Sequence, residues 1–343
     1  MMNMDKLQTN DQLSKDLFRP ADRRENDAEK ISRPSLNFWQ DSWLRLKGNK
    51  GAIIGLILII LISFMAIFGP SMNEYTYKQQ NISHAKLPPK VPGLENISWL
   101  PFDGKDKDGF DMYEAKNVKE YYWFGTDDLG RDLWTRTWYG TRISIYIGVL
   151  AAVIDLIIGI AYGGISGFYG GRVDTIMQRI IEVLIGIPNL IVVILFILIF
   201  DPGIFSITMA MVITGWVSMA RIVRGQFLKL KNQEFVLASR TLGASNNRLI
   251  WKHLMPNVMG PIIVTTMFTI PSAIFTEAFL SFIGLGIRPP EASLGSLVND
   301  GFNSLQMYPH MLIIPAVIIS MLILSFNLLA DGLRDALDPK MRK

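Results

Sequence analysis

The chain of 343 residues has no cysteine and only three histidines, His84, His253 and His310. The first absence excludes a disulfide scaffold, a cysteine nucleophile and any thiolate metal site. The second leaves little for a zinc site, so no metal ligand and no catalytic group are assigned. No GxxxxGKS/T run occurs, so the chain does not itself hold a nucleotide on a phosphate loop and binds no cofactor of its own. Charge is scarce as well: 19 % of residues are charged, against about 25 % in soluble domains. The formal net charge of +4 is too small to point to nucleic acid. Apolar side chains are what the chain has in plenty, at 50 %. They cluster into blocks near the roughly 17–25 residues that cross a bilayer. This is the composition of an all-α integral membrane protein.

Residues 1–50 carry ten Lys/Arg against eight Asp/Glu. Arg19–Arg33 reads as a solvated tail, with no signal-peptide core before it. Phe38, Trp39, Trp43 and Leu46 recur at helical spacing opposite Asp41, Arg45 and Lys47. That pattern suits an interfacial helix, or simply aromatic anchors for the span that follows. A first transmembrane helix is expected over 51–69, ended by Gly69-Pro70. The stretch 70–141 is rich in proline and aromatics, which predicts a small folded element outside the membrane. Asp106, Asp108 and Gly109 resemble part of a calcium loop, but the acidic first position and closing glutamate are missing, so a polar turn is expected instead. The remainder, 142–343, reads as a five-helix core with spans near 143–164, 180–200, 205–222, 261–283 and 310–329. Basic residues crowd the short 165–179 and 221–256 loops and the C-terminus, while the short loops on the opposite side offer a single basic residue, Arg288. The positive-inside rule then predicts six transmembrane helices, both termini cytoplasmic, and the 70–141 element extracytoplasmic.

The cytoplasmic loop 225–257 is the most informative segment. Asn232 is placed to cap a helix over 233–242, and Gly243 follows it where a left-handed residue is wanted. Ser245 is placed to cap a second helix that Pro256 stops. Such a knob either docks into another protein or folds back on neighbouring spans; the residues alone leave both open.

The run Glu234–Asn257, EFVLASRTLGASNNRLIWKHLMPN, resembles the EAA loop of binding-protein-dependent ABC importer permeases. Aligned on Gly243, the triplet becomes Leu237-Ala238-Ser239 and the closing element Leu254-Met255-Pro256, so the triplet's acidic residue is absent and Glu234 lies one turn earlier. GTDDLGRD (Gly125–Asp132) and AFLSFIGLGIRPPEASLGSLVNDG (Ala278–Gly301) are similar to the dipeptide/oligopeptide/nickel subfamily, and within it to the C-type subunit of oligopeptide permeases. The resemblance covers roughly residues 40–343. It implies a type I permease fold in a bacterial cell membrane, half of a translocation pore, and import of peptides, with dipeptides or nickel as alternatives. The implied partners are a B-type permease, two cytoplasmic ATPases that consume the ATP, and an extracytoplasmic peptide-binding protein. It also implies ATPase-coupling roles for Glu234, Ala238, Ser239, Gly243, Ala244 and Pro256.

Other positions carry their own readings. Gly159, Gly163, Gly167 and Gly171 recur every four residues, a groove for close helix packing or, alternatively, a substrate path. Pro188 and Pro271 permit kinks. Asp155 and Glu277 fall inside spans, where an ionisable group costs about 2.5–3.5 kcal/mol and faces a bundle interior or water. Each is either a group lining the translocation path or a hydrogen-bonded structural carboxyl. The many methionines, Met209, Met211 and Met219 among them, either fill gaps or form an adaptable wall. Two rival functions are weighed. Gly164-Ile165-Ser166-Gly167 matches the surroundings of an intramembrane serine nucleophile, but no histidine is expected nearby. An ion-coupled secondary transporter needs more midplane charge and internal repeats than the chain offers.

Overall fold

A computed structural model describes residues 37–95 and 101–338. The charged stretch 1–36, including the tail expected over Arg19–Arg33, lies outside the described residues. The chain divides into two units, one ending at Asp41 and the other beginning at Ser42. Of the first, residues 37–41 are described, and they begin helix α1 (Phe38–Gly48).

The second unit is helical. Among the described residues its only β-pairing is three isolated bridges in the first loop. Five helical runs are long and apolar enough to cross a membrane, and a sixth exists if one bent pair counts as a single span. Helix α2 (Lys50–Phe68) starts where the Asn49 side chain accepts from Ala52 N at 3.1 Å. It buries Ala52, Gly55, Ile62 and Ala66, packs Ile59 and Met65 against the core, and leaves Ile54, Ile57, Ile60, Leu61 and Phe64 exposed. The loop that follows has its own small core of Leu87, Tyr113, Val118 and Tyr122, around the single-turn α3 (Met112–Ala115). Tyr113 donates to the Pro88 carbonyl at 2.9 Å, and burial pushes its phenol well above the usual range, so the proton stays in that bond. Asp106 forms a polar turn, accepting from Asp108 N and Phe110 N.

Helix α4 (Leu133–Ile154) begins ten residues before the expected span. Asp132 caps it, accepting from Thr135 N at 2.8 Å. The early start is possible because Arg136, 1 % exposed, is neutralised: its Nε lies 3.3 Å from Asp127 and its Nη1 donates to Tyr77 O. A wide turn, Asp155–Gly159, then joins α4 to α5 (Ile160–Tyr169). Gly171 is not on this helix; it follows the helix end with φ +52, which removes it from the glycine row.

The expected third span is a bent pair. Helices α6 (Gly171–Gly186) and α7 (Asn189–Phe200) meet at 78°, with Pro188 at the break. Proline has no N–H to continue the ladder, and the residue before it avoids the helical region. Helices α8 (Ile204–Thr214) and α9 (Val217–Leu230) form the fourth run. After α10 (Glu234–Thr241), α11 (Asn246–Arg248) and a wide turn over Leu249–Leu254 lead into α12 (Met255–Phe282), and together these form a continuous run of 37 residues, Asn246–Phe282. Pro256 therefore does not stop the second helix of the loop. It sits in the first turn of α12, where a missing N–H is tolerated, and the wide turn before it gives its ring room. Helix α13 (Leu294–Ser304), closed by a Ser293/Ser296 capping box, and helix α14 (His310–Leu337) complete the unit.

Candidate functional site: an exposed knob and a polar cavity

The 225–257 segment is built from short-range hydrogen bonds. Gln233, not Asn232, is the N-cap of α10, and its side chain makes no capping bond. At the other end the chain reverses through Gly243, whose φ is +81. Gly243 N donates to Arg240 O at 3.0 Å and Ala244 N to Ser239 O at 3.1 Å, the paired bonds of a Schellman close. Ser245 then caps the next helix, accepting from Arg248 N. Ser239 Oγ donates to Phe235 O, and the Ala238 carbonyl accepts from Leu242 N and Thr241 Oγ1. Glu234 occupies the first turn of α10, where an anion complements the helix dipole.

Some apolar side chains of the knob are anchored and others are bare. Val236, Leu249 and Leu254 join Val223, Phe227 and Val258 in a fully buried cluster. Phe235, Leu237 and Leu242 are exposed, Leu242 at 88 %, and Trp251 is exposed beside Phe227 and Met255 in an apolar pocket. Folding back on the spans and presenting exposed apolar side chains are thus both properties of this segment.

The knob is tied to the α4–α5 rod through α9. A Cβ on Gly159 would meet Met219 Cβ at 2.6 Å, on Gly163 the Ala220 carbonyl at 2.3 Å, and on Gly167 Phe227 Cβ at 2.7 Å. The glycine row is therefore filled by α9 of the same chain. Asp174 receives both Arg224 Nε (2.5 Å) and Nη2 (2.6 Å), and Lys231 Nζ donates to Gly167 O at 2.8 Å. Ser166 is fully buried, donates to Asp174 at 2.5 Å and accepts from Gln178; no histidine reaches it.

The two membrane carboxylates part company. Glu277 is completely enclosed, accepting from Ser281 Oγ (2.6 Å) and Ser144 Oγ (3.2 Å), while Ser293 Oγ donates onward to Ser281. It binds α4, α12 and the start of α13 together. Asp155 sits in the wide turn and accepts from Thr269 Oγ1 at 2.6 Å. It borders a cavity of about 330 Å³ whose wall also includes Asn189, Thr214, Thr265, Ser272 and Thr276. Met211 is in that wall, whereas Met219 is fully buried packing.

With this geometry in place, comparison with known proteins is decisive. Residues 156–343 match the family described as binding-protein-dependent transport system inner membrane component. Residues 37–89 match the N-terminal TM domain of oligopeptide transport permease C. The chain belongs to the binding-protein-dependent permease family. Oligopeptide transport system permease protein OppC of Bacillus subtilis is 51 % identical over 331 residues, 96 % of this chain and 99 % of that protein. Dipeptide transport system permease protein DppC of the same organism is 47 % identical, covering 93 % of this chain and 91 % of the relative. OppC of Escherichia coli is 37 % identical, covering 93 % and 96 %. As a member of this permease family the chain is a multi-pass bacterial membrane protein, and its relatives are transport subunits rather than enzymes.

Two features of this permease escape sequence reasoning. The Asp174–Arg224 pair joins residues 50 apart and has no local signature. The hydroxyls of Thr265, Thr269, Ser272 and Thr276 did have one, since intervals of four, three and four residues place them on one helical face.

Proposed function

We propose that this permease is the C-type pore subunit of an ATP-driven importer of oligopeptides. Both termini and the 225–257 knob lie in the cytoplasm in this reading, and the 70–141 element lies outside. The observation that carries the reading is the set of exposed apolar side chains Phe235, Leu237 and Leu242 on an element whose Val236 is locked into the core. Exposed apolar clusters on a rigid support mark docking sites. The family membership supports a cytoplasmic ATPase as the partner, engaged through the segment containing Glu234, Ala238, Ser239, Gly243, Ala244 and Pro256. A second, B-type permease supplies the other half of the pore, two ATPases consume the ATP, and an extracytoplasmic binding protein delivers the peptide.

The lever follows from the packing. A push on the knob reaches α9 through the buried Val236 cluster, and α9 is keyed into α5 by the glycine row and tied to α6 by the Asp174–Arg224 pair. A partner that binds the knob differently in its open and closed states biases the position of these helices. The 51 % identity with a named oligopeptide permease favours oligopeptides, and the 47 % identity with a dipeptide permease keeps dipeptides as the second reading. Reconstitution of both permeases, both ATPases and the binding protein in proteoliposomes tests the proposal. ATP-dependent accumulation of labelled tri- to pentapeptides, exceeding that of dipeptides and nickel, is the expected result. Uptake that persists without ATP and follows an ion gradient overturns it.

A further inference from the structure

The cavity beside Asp155 has a chemical bias. Its wall contains no lysine, arginine or histidine, and Asp155 is its one carboxylate. Among the described residues the hydrogen bond from Thr269 is the only one this side chain receives, so the carboxyl has no counter-ion. The hydroxyl hydrogens around it are already committed. Thr265 donates to Pro261 O at 2.9 Å, Thr276 to Ser272 O at 2.8 Å, and Thr269 to Asp155 itself. Thr214 donates to Asn189 Oδ1 at 3.0 Å. Each of these hydroxyls retains acceptor lone pairs, while the side-chain hydrogens still free are those of the Asn189 amide and two serine hydroxyls. Beside apolar neighbours such as Val193, Ile207 and Phe268, the polar part of the wall is therefore rich in acceptors and carries one uncompensated acid.

Its position adds a second argument. Thr265, Thr269, Ser272 and Thr276 lie on one face of the membrane helix α12, and Ser272 is exposed. A hydroxyl face is poorly matched to hydrocarbon and well matched to a water-filled path or a polar cargo. The wide turn at Asp155–Gly159 sets the carboxyl against this face, which is the kind of local helix distortion that accompanies functional sites. A volume of about 330 Å³ lies within the roughly 300–1,000 Å³ of small-ligand sites.

We propose that Asp155, with the acceptor hydroxyls of Thr265, Thr269 and Thr276, forms a subsite that holds a primary ammonium group of the cargo as it passes this half of the pore. The proposal rests on the peptide-import reading above. A linear peptide presents such a group at its N-terminus, and a lysine side chain presents another. Three N–H donors of an ammonium match a carboxylate and a ring of hydroxyl acceptors, and the charge-assisted bond replaces hydration lost on leaving bulk water.

The test uses the complete importer in proteoliposomes with saturating binding protein. ATP-driven uptake is compared for trialanine, N-acetyl-trialanine and N-acetyl-Ala-Lys-Ala. The readout is the ratio of amine-bearing to amine-free uptake within each variant, so differences in the amount of assembled complex cancel. Asp155→Asn is expected to lower that ratio by about tenfold, the loss of one charge-assisted bond. Ser272→Lys, which keeps Asp155 and adds a competing cation at the cavity's open side, is expected to lower it as well. If the lysine peptide falls with trialanine, the subsite accepts an ammonium from either source; if only trialanine falls, it reads the peptide N-terminus. An unchanged ratio in both variants, with strong wild-type uptake, overturns this inference alone. No ATP-driven peptide uptake by the wild type overturns the functional reading and this inference with it.

Discussion

At the scale of single residues, Gly243 is where backbone geometry bears most directly on the proposed mechanism. Nothing lies within 4 Å of a Cβ built there, so a side chain meets open space and only its φ of +81 matters. A non-glycine residue in the left-handed region costs roughly 1–2 kcal/mol, and a β-branched one is penalised most. Gly243→Val is expected to leave membrane insertion intact while reducing stimulation of the ATPases by loaded binding protein. Gly243→Asn, which tolerates that region, should retain most of it. ATPase assays on reconstituted complexes matched for membrane content check this. Wild-type stimulation in the valine variant would show that the Schellman close is not needed for coupling.

At the scale of elements, the α5–α9 contact is the tightest helix packing in the proposed lever. Gly163 faces a backbone carbonyl, which cannot swing aside as a side chain can. Gly163→Leu should cost at least the roughly 1–3 kcal/mol of overpacking. Gly164→Ala, whose Cβ would rest at an ordinary 3.6 Å from Phe227, should change little. Thermal unfolding of the detergent-purified complex separates the two. Much of this element-level organisation was legible beforehand: apolar blocks, the glycine spacing, Gly243 as a helix end and Ser245 as a cap are all local signals. What misled was equally physical. Arg136 looks like a loop residue until Asp127 and a carbonyl from 59 residues away are brought against it. Pro256 reads as a terminator until the wide turn before it is seen to accommodate the ring. Pairings between distant residues, such as Asp174–Arg224, leave no periodic trace at all. For the cavity, Asp155 stood out as a lone acid in a span, but its partner Thr269 is 114 residues away.

At the scale of the whole molecule, the distribution of lysine and arginine predicts which end of the unit faces the cytoplasm. The chain offers an unusually clean test, because it contains no cysteine to mutate away. Leu242→Cys in the knob and Phe110→Cys in the first loop both replace exposed side chains. A membrane-impermeant maleimide applied to intact cells is expected to label position 110 and spare position 242, and inverted vesicles should give the reverse. Labelling of position 242 from outside would reverse the orientation and remove the basis for an ATPase partner.

The wide turn at Asp155–Gly159 has a consequence for how such chains can diverge. A turn of this kind absorbs one residue beyond the α-helical count. Without it, everything downstream would be out of phase by one position, about 100° of rotation, and the glycines would swing away from α9. Length changes in this rod are therefore tolerated at one place only. Related chains that lack the bulge should show a single-residue gap between positions 155 and 159, with the flanking halves aligned without interruption. A gap elsewhere in the rod would uncouple its two halves.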